Sequence, residues 1–141
     1  MVQSLESIDP FCDEIVIALQ GEQSDGTDSL VHSWAEGKDH VKVLRYPFDS
    51  IPNGPDHDKQ VGGSVYERAY FYNWTLAHTT KNYALKWDGD MVAQDNAGEV
   101  LRDELLSADV VAFSGVDIVG DMKIGERVRC GSDPRLFRVV P

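Results

Sequence analysis

A chain of 141 residues, 42% hydrophobic and 26% charged, is long enough for one domain with a real core and too apolar to be disordered. Its 24 acidic and 13 basic residues leave a net charge of −11, which argues against a broad basic face for nucleic acid. No apolar run approaches the roughly 18 residues of a membrane span. The opening Met1-Val2-Gln3-Ser4 also lacks the regions of a signal peptide, so one cytoplasmic domain over residues 1–141 is expected.

In chain order, Val2 to Ile8 reads as a short helix stopped by Asp9-Pro10. Glu14-Ile15-Val16-Ile17-Ala18-Leu19 is the continuous apolar run of a buried parallel strand. A polar turn from Gln20 to Thr27 follows, and Ser24, Asp25 or Thr27 can cap a helix over about 28–36. Val41 to Tyr46 is a second strand, ended by Pro47, and Phe48 to Ser64 is a long polar loop. Val65 to His78 has helical spacing with Tyr66, Tyr70, Phe71, Tyr72 and Trp74, read as mostly core. Tyr83 to Trp87 is a third strand running into Asp88-Gly89-Asp90, Asn96 to Ser107 a helix, and Asp109 to Phe113 the start of a fourth strand. Lys123 to Cys130 and Leu136 to Val140 read as further strands around a Gly-Ser-Asp-Pro turn. This alternation predicts an α/β fold: a mostly parallel, Rossmann-like sheet with flanking helices.

Cys12 and Cys130 lie far apart without metal spacing, and Cys12 reads as a small core residue. The four histidines show no ligand spacing either. The charge is uneven. From Lys123 onward five basic residues face two acidic ones, a balance of +3, so the first 122 residues carry −14. An acidic body can hold a divalent cation, and an arginine cluster can hold phosphate.

In open α/β sheets, ligands bind beyond the carboxyl ends of the strands. Two polar clusters occupy such ends: Gln20 to Thr27, and Asp88 to Asp90. Two carboxylates flanking a glycine suit Mg²⁺ or Mn²⁺, which takes one or two protein carboxylates and completes its shell with water and substrate phosphates. The same tripeptide also closes ordinary turns, and its position after an apolar strand is what favours a site.

Asn73-Trp74-Thr75-Leu76 followed by Tyr83-Ala84-Leu85-Lys86-Trp87-Asp88-Gly89-Asp90-Met91 resembles the surroundings of the Asp-x-Asp motif in GT-A fold glycosyltransferases. It is most similar to the large inverting family (family 2-like) that uses nucleotide-diphospho-sugars. Ser4 to Ile8, Asp13 to Ile17 and Ser24-Asp25-Gly26-Thr27 are similar to that family's first helix, second strand and Asp-Gly-Thr turn, and Asp133 to Arg138 to a later segment. The resemblance implies a glycosyltransferase that binds a nucleotide-sugar through Mn²⁺ or Mg²⁺ and transfers the sugar to a hydroxyl acceptor. Residue by residue, it implies Asp88 and Asp90 at the metal, with Asp90 favoured for direct coordination. It implies Asp25, Arg68, Asn73 and Asp88 at the nucleotide-sugar. Gln20, Gly21 and Glu22 stand where the family has acidic residues that contact the base, and Tyr72 stands where an arginine is common.

The family's opening central strand and its later general base have no counterpart here; Asp117 and Asp121 are weak candidates for the base. On the resemblance, the chain is a piece of a longer enzyme or a trimmed form, and an unfilled central strand position invites pairing with another copy. The alternatives are a non-catalytic nucleotide-sugar or metal-binding remnant, and a nucleotidyltransferase, which would need a glycine-rich basic loop.

Overall fold

The structure, a computed structural model, describes residues 1–51, 63–105, 109–113, 118–119, 123–124 and 133–139. The chain begins with α1 (Val2–Ile8), whose face of Ser4, Leu5 and Ile8 is buried. Pro10 has no N–H to continue it, so α1 tightens into a 3₁₀ turn over Asp9–Phe11. Strand β1 (Ile15–Gln20) then lies parallel to β2 (Val41–Tyr46), in register from Ile15 opposite Val41 to Gln20 opposite Tyr46. A parallel pair needs a crossover, and α2 (Thr27–Ala35) supplies it, with Val31 fully buried.

The remaining elements are α3 (Arg68–Leu76), β3 (Tyr83–Leu85), α4 (Ala97–Leu105), β4 (Val110–Phe113), β5 (Ile118–Val119), β6 (Lys123–Ile124) and β7 (Asp133–Arg138). The third helix starts three residues later than its periodicity suggests, and residues 64–67 form a turn ahead of it. There the Ser64 hydroxyl accepts the Tyr66 N–H, and the Glu67 carboxylate reaches back to the Gly63 N–H.

The fold is mixed α/β, but the expectation of a mostly parallel Rossmann-like sheet is corrected. Among the described residues only β1 and β2 are neighbours in parallel; β3, β7 and β4 form an antiparallel sheet in that order, and β5 and β6 an antiparallel pair. Strands β3 and β4 do run in the same direction, each being antiparallel to β7, but β7 separates them. The Asp133-Pro134 turn is corrected as well, since both residues belong to β7. Pro134 lacks a ladder donor, and it stands opposite Ala112, next to the register shift between Val111 and Ala112.

The largest fully buried side chain among the described residues is Tyr46. Its ring meets Phe71 at 5.1 Å, Trp74 at 5.0 Å and Phe48 at 5.5 Å, so α3 packs on the end of β2. The expected aromatic core is correct for Phe71; Tyr72 and Trp74 are half-buried, and Tyr66 and Tyr70 are exposed. Burial raises the Tyr46 hydroxyl pKa, and that hydroxyl donates to the Val65 carbonyl. No helix among the described residues is long and apolar enough to cross a membrane.

Glu14 links the two sheet systems. One carboxylate oxygen takes the Lys42 ammonium of β2 at 2.5 Å, and the other takes the Thr80 N–H at 2.7 Å, just before β3. Burial would push this carboxyl up, but the Lys42 and Thr80 donors outweigh it and hold its pKa below the usual 4.5. Asp9 behaves in the same way. Burial opposes ionisation, and Lys38 at 2.6 Å with His40 at 2.7 Å overcomes it, lowering Asp9 below its usual 3.8.

Groups with lowered folded-state values contribute stability that is complete above the ordinary value and lost as pH falls through the lowered one. Thermal stability is therefore expected to decline as pH drops below the range of 4.5 to 3.8. Glu14→Gln should cost about 1–3 kcal/mol at pH 7 and flatten that decline. Melting curves across pH 3–7 check both, and parallel curves for the two proteins would show that Glu14 contributes nothing.

Candidate functional site

The third strand ends at Leu85, two residues short of its sequence reading, and Lys86 and Trp87 lead from it into the acidic turn. The Met91 N–H donates to the Asp88 carbonyl at 3.1 Å, which closes Asp88-Gly89-Asp90 into a tight bend. The bend is anchored to α1. Ser4 is buried to 1% exposure; its Oγ donates to the Asp88 carbonyl at 3.2 Å and accepts the Trp87 indole N–H at 3.1 Å. One turn later, the Ser7 Oγ donates to the Ser4 carbonyl at 2.7 Å and accepts the Ala93 N–H at 3.0 Å. A hydroxyl has one proton to give, and in each serine it is committed within α1 or to the bend.

The two carboxylates differ in setting. The Lys86 ammonium lies 3.6 Å from Asp88 Oδ1 and 5.0 Å above the Tyr72 ring, which connects α3 to the turn. Asp90 is exposed. Gly89 brings the bend close to Met1: a Cβ there would stand 2.6 Å from the Met1 methyl carbon, a contact that the exposed, flexible Met1 side chain can relieve by shifting.

That methionine also lines a cavity of about 350 Å³ at the carboxyl end of β1, together with Ala18, Gln20, Thr27, Asp49 and Ser50. The cavity rim turns sharply at Gly21, whose φ is +51°; a side chain there would be strained and would also collide with Asp49 Oδ1. Arg45 of β2 ties the rim to α2 by donating to the Gly21 carbonyl and, at 2.6 Å, to Asp28 Oδ2. Asp28 Oδ1 is buried without a hydrogen-bond partner among the described residues.

The residues singled out from sequence fall in different places. Asp88 and Asp90 share the bend. Asp25 is exposed, and its carboxylate accepts the Thr27 N–H at 3.0 Å; these hydrogen bonds, the backbone one first, lower its pKa. Asp25 therefore shapes the entry of α2 and is not part of the cavity wall. Arg68 heads α3, with its Nε buried and unpartnered among the described residues. Asn73 is exposed on the same helix, and its carbonyl receives the Ala77 N–H. Neither lines the cavity. Asp117 and Asp121 lie outside the described residues.

Among the described residues, no group of three or more His, Cys, Asp or Glu side chains converges as a ready cation cage. Two carboxylates on one bend still match the donor set of a hard cation whose remaining ligands come from water and phosphate. Cys12 is not a nucleophile in waiting, because burial, with Asp13 and Asp9 nearby, pushes its thiol up to about 11.

Sequence reasoning placed Gln20 in a strand-end polar cluster but passed over Ser4, Ser7, Met1 and Ser50 as parts of a site. Ser4 and Ser7 offered one signal: hydroxyls spaced i, i+3 beside the apolar Leu5 and Ile8, on the face a short helix must bury. Gln20 and Ser50 meet only through the parallel pairing of β1 and β2. No protein-family model, curated protein or solved structure matches the chain.

Ser4→Ala removes the acceptor for the Trp87 indole and the donor to Asp88. It should destabilise the fold by about 1–3 kcal/mol and alter tryptophan emission, since Trp87 loses its hydrogen bond. Denaturant titration read by fluorescence and by circular dichroism checks this, and an unchanged midpoint and spectrum would show that the Ser4 relay is dispensable.

Proposed function

We propose that this domain binds a nucleotide-diphospho-sugar through Mn²⁺ or Mg²⁺ held at Asp88-Gly89-Asp90, and that it acts as a GT-A-type glycosyltransferase in the cytoplasm, transferring the sugar to a hydroxyl acceptor. The observation that carries this reading is the adjacency of the two polar clusters. The side chain of Met1 touches both the Gly89 bend and the cavity at the end of β1. A nucleoside seated in that cavity would direct its diphosphate toward the acidic bend. The cavity lies where ligands bind in open α/β sheets, beyond a strand's carboxyl end and beside the start of the following helix. Its volume of about 350 Å³ is in the range of small-molecule sites.

The roles follow from the local electrostatics. Lys86 already neutralises part of the charge on Asp88, which leaves the exposed Asp90 as the stronger direct ligand. Asp88 and Lys86 together form a paired group that can orient a diphosphate and its metal at once. When bound, the divalent ion offsets the charge that develops on the departing nucleoside diphosphate. The Ser4–Asp88 and Ser7–Ala93 bonds hold the bend in place through ligand exchange. An inverting transfer also needs a base for the acceptor hydroxyl, and Asp117 and Asp121 are proposed for that role.

Calorimetric titration of UDP and GDP with and without Mn²⁺ tests the donor site, and metal-dependent binding is expected. Asp90→Ala should weaken that binding by at least about a hundredfold, and Asp88→Ala by about tenfold or more. Absence of metal-dependent binding, or an Asp90→Ala variant of unchanged affinity, removes the donor-site reading. Assays of sugar-nucleotide hydrolysis and of transfer to simple saccharides then separate an enzyme from a protein that binds donor without turning it over.

A further inference from the structure

Gln20 is the last residue of β1 and stands in the cavity wall. A glutamine amide is usually free to present either its oxygen or its nitrogen, but here the choice is fixed. Its Oε1 accepts the Ser50 backbone N–H at 3.0 Å and the Ser50 hydroxyl at 2.7 Å. A backbone N–H can only donate, so the atom facing it must be the amide oxygen. Ser50 itself is buried, which makes this pairing costly to break. The backbone of Gln20 is held as well, since Gln23 Nε2 donates to the Gln20 carbonyl at 2.5 Å.

With both lone pairs of Oε1 engaged, the Nε2 amino group is turned away from Ser50. It donates to no group among the described residues. It is not one of the buried unpartnered side-chain atoms found there, which are Asp28 Oδ1 and Arg68 Nε. Gln20, which lines the cavity together with Met1, therefore carries a hydrogen-bond donor whose orientation is fixed.

We infer that Gln20, locked by Ser50, selects the base of the bound nucleotide by donating to a ring carbonyl, so that the site prefers an oxo base to the amino base of the same ring. This rests on the donor-site reading above. Uracil and cytosine differ in this respect at one ring position, and hypoxanthine and adenine at another. Against the amino partner, the Nε2 donor meets a second donor, and both are left unpaired. Pinning matters as much as identity. An unpinned amide would turn over and accept either base, whereas the Ser50 pair prevents that.

The test is the ratio of affinities within each ring class, measured with Mn²⁺ for UDP against CDP and IDP against ADP. The ring class that binds more tightly should show an oxo preference of about tenfold or more. Gln20→Glu keeps an oxygen for the Ser50 donors but presents a second oxygen to the cavity; the ratio should reverse in favour of the amino base. Any general effect of the added charge cancels in the ratio. Ser50→Ala removes one of the two pins, and the ratio should narrow several-fold while binding persists. An oxo-to-amino ratio near one in the unaltered protein, or a ratio that Gln20→Glu leaves in place, overturns the inference while leaving the donor site intact. If none of the four nucleotides binds with metal, the inference fails together with the donor site.

Discussion

Much of this fold depends on side chains bridging between sheets that share no ladder. Backbone hydrogen bonds join β1 to β2, and β7 to β3 and β4, but no strand pairing among the described residues joins the first group to the second. The bridge is made by Glu14, which holds a lysine from β2 and a backbone amide before β3 on the two oxygens of one carboxylate. It is also made by Ser4 and Ser7, which fasten α1 to the segment after β3. Such contacts are directional. Burial of apolar surface would tolerate a sliding of one sheet past the other, whereas a carboxylate with three donors (the Lys42 ammonium and the Thr80 N–H and hydroxyl) and a hydroxyl with both roles filled permit little.

The same bridges give the proposed site its geometry. The acidic bend lies on one sheet and the cavity on the other, so a ligand that reaches both depends on the spacing α1 sets. Met1, at the start of that helix, lies against both. Asp9, just past the other end of α1, is held by Lys38 and His40 from the segment that leads into β2. The helix is thus fixed at both ends, and metal binding at the bend need not organise it.

Much of this was legible locally. Val2 to Ile8 and Val41 to Tyr46 match their sequence readings because proline punctuates each: Pro10 just after the first, Pro47 directly after the second. The acidic bend was legible for a similar reason, an apolar strand stopping at two carboxylates around glycine. The place of β7 was not. An apolar segment inserted antiparallel between β3 and β4 looks the same in sequence as one added at an edge, because periodicity reports faces and not neighbours. The inner site was hidden by distance along the chain. Ser4 and Asp88 are 84 residues apart and Gln20 and Ser50 are 30 apart, so no window of sequence contains either pair.

The central position of β7 also bears on how the chain is made. Synthesis completes β3 by Leu85 and β4 by Phe113, yet β7, their sheet partner among the described residues, comes only with residues 133–138. The β1–β2 pair, by contrast, is complete at Tyr46 and can close early around α2. Folding on the ribosome would therefore proceed in two stages, with a parallel unit formed first and two unpaired strands waiting for the last one. During that interval β3 and β4 lack the strand that joins them among the described residues, which leaves the edges that β7 will cover available to other strands.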